Sequence, residues 1–408
     1  MTLHRRTVLG AAALGALPIQ GARAQPANTI RIGVLNDQSG VYRDPTGPGS
    51  TVCVRQAVAE VAAARGLAVE VIQADHQNRP DVGSTIVRQW IDRDGVDVVV
   101  DVPTSSVALA VSGIVREKNK VFLNSGGAIS DLTGPACSPN TVHWTYDTWM
   151  LAHGTGDAMV RAGGDTWFFI TADYAFGHAL ERDTTEFVRR AGGRVVGGAR
   201  HPLSTTDYSS YLTQAAASRA KVIGLANAGG DTINTVKQAA EFGVTRRGAK
   251  LAGLLVGITD VHALGLETAQ GLVLTDAFYW DLNDRSRAFT SRVLRDMPGQ
   301  QRPTMIQAGC YGAVLHYLKV AAEMGAAQAK ASGAETIARM KAMPVDDDVF
   351  GPGSIRQDGR KVHPVHLFEV KAPGESRGPW DYYKLVRTIP AEEAFRPISE
   401  GGCPLVRS

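Results

Sequence analysis

The chain has 408 residues, of which 44% are hydrophobic and 20% charged, and a formal net charge of +3. That length exceeds one ordinary core and calls for two domains. The charge excess comes from Arg5, Arg6 and Arg23 in a first stretch of 24 residues that holds no acid; the rest is balanced and offers no basic surface for nucleic acid or an anionic membrane.

The N-terminal "LHRRTVLGAAALGALPIQGARAQ" reads as an export signal over 1–24. It has a charged start, an apolar run over 8–19 and small residues at Ala22 and Ala24, with cleavage expected after Ala24. The run is shorter than the ~20 residues a membrane span needs. Arg5 and Arg6 suit a twin-arginine signal or a plain secretory one. No cysteine adjoins the cut and no later segment is apolar enough to span, so a free periplasmic product is expected. Four cysteines would then meet an oxidising compartment. Cys53 and Cys310 fall on apolar helical stretches as buried thiols. Cys137 and Cys403 lie in Pro-containing loops that a bridge between them would constrain, although spacing alone leaves the connectivity open.

From residue 29 onward strands and helices alternate. Strands are expected over 29–36, 68–75, 96–102 and 120–125, with helices over 50–65, 81–93 and 107–117 between them. β-Branched runs separated by helices of that length form βαβ units in a parallel sheet covered on both faces. The programme then recurs, with strands over 165–173, 194–200, 220–228 and 251–258 and helices over 177–191, 208–217 and 231–242. The reading is an α/β protein of two doubly wound parallel-sheet lobes in tandem. Helices follow over 285–294, 304–324 and 334–342, then a hairpin within 353–370 turning at Asp358-Gly359, and a strand-like segment over 380–389. These pieces must pack on one lobe or the other, so the chain crosses more than once and forms a multi-strand hinge. Lobe 1 is expected from 28–147 plus 281–347, and lobe 2 from 148–280 plus 348–408.

Ligands of open parallel sheets bind beyond the carboxyl ends of the strands. Those ends read "NDQSG", "PTSS" and "NSGGA" in the first lobe, and "TADYAFG", "ANAGGD" and "GITD" in the second. Ser39, Thr104, Ser105, Ser106, Ser125, Gly126, Gly127 and Asn227 are the candidates there. Their small polar groups and close backbone approach, beside helix N-termini, suit a carboxylate. Each hydroxyl equally suits a helix N-cap. Tyr42, Tyr174, Phe176, Trp280 and Tyr311 are candidates for an aromatic wall. Asp260 and Asp231 are the acids positioned to meet an ammonium, and both also stand where an N-cap belongs.

Catalytic signatures are missing: there is no P-loop, no G-x-G-x-x-G after the first strand, no G-x-S-x-G and no H-E-x-x-H. His363 and His366 lack partners at metal spacing, and Asp346 to Asp348 lack the alternation of a calcium loop. No enzyme activity, cofactor or metal is expected.

The opening "IRIGVLNDQSGVYRDPTGPGS", the segment "DYAFGHAL" and the stretch "STTDYSSYLTQAAASRAKVIGLANAGGD" resemble type I periplasmic solute-binding proteins of ABC transporters. More narrowly they resemble the branched-chain (hydrophobic) amino acid receptor group. The resemblance implies a monomeric receptor that closes on a small organic carboxylate and delivers it to a membrane permease. It implies that Thr104, Ser105, Ser106, Ser125, Gly126 and Gly127 hold the carboxylate and that Phe176 covers the ligand. An acid after the fourth strand of the second lobe answers the ammonium in amino-acid binders. Asp260 is the acid in that region here, further along the chain than the pattern asks. Aromatic acids are therefore an alternative ligand class, and a ligand-sensing module feeding a regulator is an alternative role.

Overall fold

The structure, a computed structural model, describes residues 28–406; the expected export signal lies outside them. The first lobe is built from β1 (Ile30–Asn36), α1 (Gly47–Val61), β2 (Val69–Asp75), α2 (Pro80–Asp92), β3 (Val98–Asp101), α3 (Ser105–Glu117), β4 (Val121–Asn124) and β5 (Thr141–His143). Its sheet is parallel throughout, in the order β2-β1-β3-β4-β5. The central β3 is buried along its whole length, which is why it reads as an unbroken β-branched run rather than an alternating one. Pro80 opens α2 at a position where its missing N–H has no helical partner to lose.

The chain crosses through α4 (Thr148–Leu151) and α5 (Asp157–Arg161), joined by a wide π-helical turn over Ala152–Gly156. The second lobe then repeats the winding with β6 (Thr166–Ala172), α6 (Ala175–Arg190), β7 (Arg194–His201), α7 (Ser209–Ala217), β8 (Val222–Ala226), α8 (Gly230–Glu241) and β9 (Lys250–Gly253). Its order is β7-β6-β8-β9, again parallel. In each lobe the first strand is an inner strand, with the second strand on one side and the third on the other.

After α9 (Ile258–Leu264) and α10 (Leu266–Ala269) come β10 (Val273–Asp276), α11 (Asp284–Val293), α12 (Met305–Met324), α13 (Ala326–Ala331) and α14 (Gly333–Ala342). The tail holds β11 (Val345–Asp347), β12 (Gly351–Ile355), β13 (Lys361–Val362), β14 (Val365–Val370), β15 (Tyr383–Ile389) and α15 (Ala391–Ala394). α12 packs along α1. β10, β14 and β15 form an antiparallel sheet, and Leu274, Phe368 and Tyr383 from it share a core with Phe168 and Ile170 of the second lobe.

Three details depart from the sequence reading. The strand expected over 251–258 stops at Gly253, because the chain folds back over its end: a Cβ on Gly253 would lie 2.4 Å from Val256. The hairpin expected over 353–370 is confined to β12 and β13, turning at Gly359 with φ +87°. Pro364 follows, with no N–H to continue the ladder, and β14 leaves to lie between β10 and β15. The tail expected on lobe 2 is divided. Arg360 bridges to His143 beside β5, and Cys403 is disulfide-bonded to Cys137 with a Cα–Cα distance of 5.7 Å. Both therefore lie on the first lobe, leaving β14 and β15 with the second. Cys53 and Cys310 are buried free thiols. No helix among the described residues is long and apolar enough to cross a membrane.

Candidate functional site

In a doubly wound sheet, the crevice opens where the strand order reverses. That point is the β1/β3 pair in the first lobe and the β6/β8 pair in the second. The four loops leaving these strands meet. Tyr42 follows β1, Pro103 follows β3, Tyr174 and Phe176 follow β6, and Ala228 and Gly229 follow β8; all line one cleft, with about 520 Å³ of empty space counting that open to solvent.

The first-lobe wall is built by a carboxylate that folds its own loop. Asp37 accepts backbone N–H bonds from Ser39 (3.2 Å), Gly40 (2.6 Å) and Tyr42 (2.8 Å), and the Asn78 amide donates to it at 2.7 Å. Tyr42 is thereby fixed at the cleft. Thr46 donates to the Tyr42 carbonyl at 2.7 Å. The start of α12 completes this wall. Thr304 and Gln307 cap each other's backbone N–H groups, the Thr304 hydroxyl donates to the Pro45 carbonyl at 2.7 Å, and Met305 and Ile306 reach the cleft. From the crossover, Tyr146 lines the cleft and donates from its hydroxyl to the Gly126 carbonyl at 2.8 Å.

The second-lobe wall carries the charge. Asp260, on the first turn of α9, accepts the Gly257 N–H at 2.9 Å; Asp276, ending β10, accepts the Phe278 N–H at 3.0 Å. Both line the cleft, and both are at most 3% exposed. Burial pushes the Asp260 carboxyl up to about 7 against the pull of the Gly257 N–H, and the Asp276 carboxyl up to about 8, with Asp260 adding to the rise. Among the described residues that line the cleft there is no Lys, Arg or His.

The lobes also touch directly. The Val41 carbonyl accepts the Gly230 N–H at 3.1 Å, and the Tyr42 and Tyr174 hydroxyls are 2.7 Å apart. Gly229 makes this approach possible. It sits at φ +56°, and a Cβ there would lie 2.3 Å from the Val41 carbonyl oxygen.

Of the sequence candidates, the cleft brings together Tyr42, Tyr174, Phe176 and Asp260. The others do not line it, and all but Ser106 have protein partners elsewhere. Ser39 donates to Asp75 at 2.6 Å on the surface, and Thr104 gives its hydroxyl to Asn78. Ser105 accepts the Ile129 N–H at 3.2 Å, while Ser106 stands half-buried on the first turn of α3. Ser125 donates to the Ile306 carbonyl at 2.7 Å and accepts from Thr145 at 2.6 Å. Gly126 and Gly127 take the close turn under Pro103: a Cβ on Gly126 would lie 2.6 Å from the Pro103 Cα, and the Gly127 N–H is held by Asn124 at 2.9 Å. Asn227 is consumed by His201, Thr232 and Thr235, and Asp231 accepts the Ser204 N–H. Trp280 donates to the Trp380 carbonyl at 2.8 Å, and Tyr311 donates to Glu60 at 2.6 Å. These hydroxyls and amides hold the loops that carry the cleft.

The sequence reading missed Asp276, Tyr146 and the start of α12. Asp276 had a signal: "GLVLTDAFYW" is a mostly apolar run ending in an acid and then aromatics, the same form as the strand ends that were read. Tyr146 and Ile306 had none, because both arrive from crossover segments whose position depends on the tertiary fold.

A model for the family described as periplasmic binding protein matches residues 29–377. The chain belongs to the periplasmic binding protein family. This binding protein has the type I fold of two parallel-sheet lobes. A periplasmic binding protein of Burkholderia mallei is 46% identical over 94% of this chain and 100% of its own, with a TM-score of 0.88. A protein of Burkholderia xenovorans described as a branched chain amino acid ABC transporter periplasmic ligand-binding protein is 36% identical over 92% and 99% of the chains, with a TM-score of 0.79. A solute binding protein of R. palustris solved with 4-hydroxybenzoate shares the fold at 22% identity over 90% and 98%, with a TM-score of 0.80. No curated protein matches the chain.

Relatives of this kind are the solute-binding components of ABC transporters. In this binding protein the start of the crossover is held by a buried ion pair. Arg360, fully buried, donates to the Tyr146 carbonyl at 3.0 Å and to Asp147 at 3.3 Å, and lies over the Phe395 ring. The residue that fixes the crossover thus also fixes the backbone of a cleft-lining tyrosine.

Proposed function

We propose that this binding protein captures a small organic carboxylate in the periplasm by lobe closure and delivers it to the permease of an ABC importer, and that the solute is a hydrophobic amino acid. The lobes that close are those carrying the two parallel sheets, with 28–147 and 281–347 on one side and 148–280 on the other. The observation that carries the choice of solute is Asp260 in the aromatic cleft, with Asp276 beside it and no cationic side chain in the lining. A carboxylate without an amine would meet negative charge on the second lobe and no compensating cation. An ammonium beside Asp260 forms a charge-assisted hydrogen bond in a site sheltered from water, and the rings of Tyr42, Tyr146, Tyr174 and Phe176 favour a cation and an apolar side chain alike. The description of the Burkholderia xenovorans relative agrees with that choice.

A thermal-shift panel tests it. Neutral amino acids with aliphatic or aromatic side chains are expected to raise the melting temperature, while benzoate and 4-hydroxybenzoate are not. A shift with the benzoates and none with any amino acid would overturn the reading.

A further inference from the structure

Two carboxyls line one closed cleft, and the solute proposed above brings one ammonium. Each carboxyl is tied through an oxygen to a backbone N–H, Asp260 to Gly257 and Asp276 to Phe278. Those bonds stiffen both groups in the wall, and neither has a cationic partner among the lining residues. One ammonium neutralises one carboxylate. A second carboxylate buried beside it would be an unpaired charge in a sheltered site, which proteins avoid by keeping a proton on the group. Resting on the amino-acid reading, we propose that Asp260 is the anion that meets the ammonium, and that Asp276 closes over the solute as the neutral acid and presents it with a hydrogen-bond donor.

The groups that face Asp276 leave it as the one to hold the proton. Asp260 approaches from α9, Tyr146 from the crossover and Tyr383 from β15, and burial holds both tyrosines well above their ordinary value, so they stay neutral. His366, its cross-strand partner on β14, is bonded to Thr388 and held down by burial to about 4, so it too is neutral near pH 7. Asp260 and Asp276 are therefore the titrating members of the set. An ammonium at Asp260 pulls that carboxyl down and leaves the raised carboxyl at Asp276.

In the open form Asp276 is solvated and ionised at neutral pH. On closure its affinity for protons rises, so binding takes one proton from solvent and places it on the Asp276 carboxyl. Affinity is then greatest at mildly acidic pH and falls by up to roughly tenfold per unit as pH climbs toward the closed-state value. The site also prefers a neutral side chain: a dibasic amino acid, whose second cation would need an ionised Asp276, binds more weakly at acidic pH.

The test is a proton count. Calorimetric titrations with the best neutral amino acid of the panel are run in buffers of differing ionisation enthalpy between about pH 6 and pH 7.5. An uptake approaching one proton per solute is expected in the wild type, and none in Asp276→Asn, whose residual binding is flat with pH. Zero uptake in the wild type, or a dibasic amino acid binding more tightly than the neutral one, would overturn the proposal while leaving the amino-acid reading standing. If no amino acid binds, that reading fails, and infrared spectroscopy at neutral pH, on the closed complex with the panel compound that does bind, decides for Asp276. A protonated-carboxyl carbonyl band lost in Asp276→Asn supports its neutral state; identical spectra refute it.

Discussion

Asp260 and Asp276 oppose the stability of the chain that carries them. Each is raised above the ordinary carboxyl value, to about 7 and about 8. Such a group destabilises the fold progressively as pH rises from about 4 toward its folded-state value, and the penalty disappears when both states are protonated. That penalty belongs to the closed form; without solute the lobes open and Asp276 is solvated, so Asp276→Asn is expected to change stability by no more than about 0.5 kcal/mol at pH 6 and at pH 8, which chemical denaturation measures. Asp260→Asn behaves oppositely toward the solute, losing about 10–100-fold in affinity with a charge-assisted bond. The Ser125 hydroxyl and those of Thr104 and Ser105 were visible as a polar cluster at strand ends, but side chains at such ends either touch a ligand or hold a neighbouring loop, and residue type does not distinguish these. Ser125 holds the Ile306 carbonyl. Ser125→Ala should weaken binding by less than Asp260→Asn does, through a displaced Ile306, and a titration of both variants compares them.

At the scale of elements, the loop after β1 and the start of α8 set how far the lobes can close. Backbone meets backbone there, with the Gly230 N–H on the Val41 carbonyl. A methyl group on Gly229 would sit against that carbonyl, and its positive φ adds strain for any other residue. Gly229→Ala is expected to hold the lobes apart, lowering affinity at least about tenfold. Small-angle scattering should show a larger radius of gyration with saturating solute than the wild type has. The crossover is set by Arg360 on Asp147 and Tyr146. Replacing it with Leu leaves Asp147 buried without its cation, and a loss of about 3–5 kcal/mol in unfolding free energy is expected. These contacts were not legible in the sequence. "GRKVHPVH" reads as a polar hairpin end, and only the pairing of Arg360 with β5 turns it inward.

At the scale of the molecule, the alternation of buried strands and helices was readable because parallel strands covered on both faces leave near-continuous apolar runs, as in "VVV" over 98–100 and "VIGLA" over 222–226. The repeated winding points to a cleft at the strand ends. The helices over 285–294, 304–324 and 334–342 were readable too, but which lobe each segment after Asp276 joins was not, because short antiparallel strands and crossovers carry no periodic signature of the lobe they join. The closed receptor brings both acids and four aromatic rings to one cleft, where Asp260 is proposed to recognise the amine of the solute. Binding calorimetry at neutral pH with two ligand pairs tests this: L-leucine against 4-methylpentanoate, and L-phenylalanine against 3-phenylpropanoate, each pair differing in the amino group. At least one amino acid is expected to bind with its deaminated partner about a hundredfold weaker or undetectable; equal or tighter binding of the deaminated acids would contradict the account.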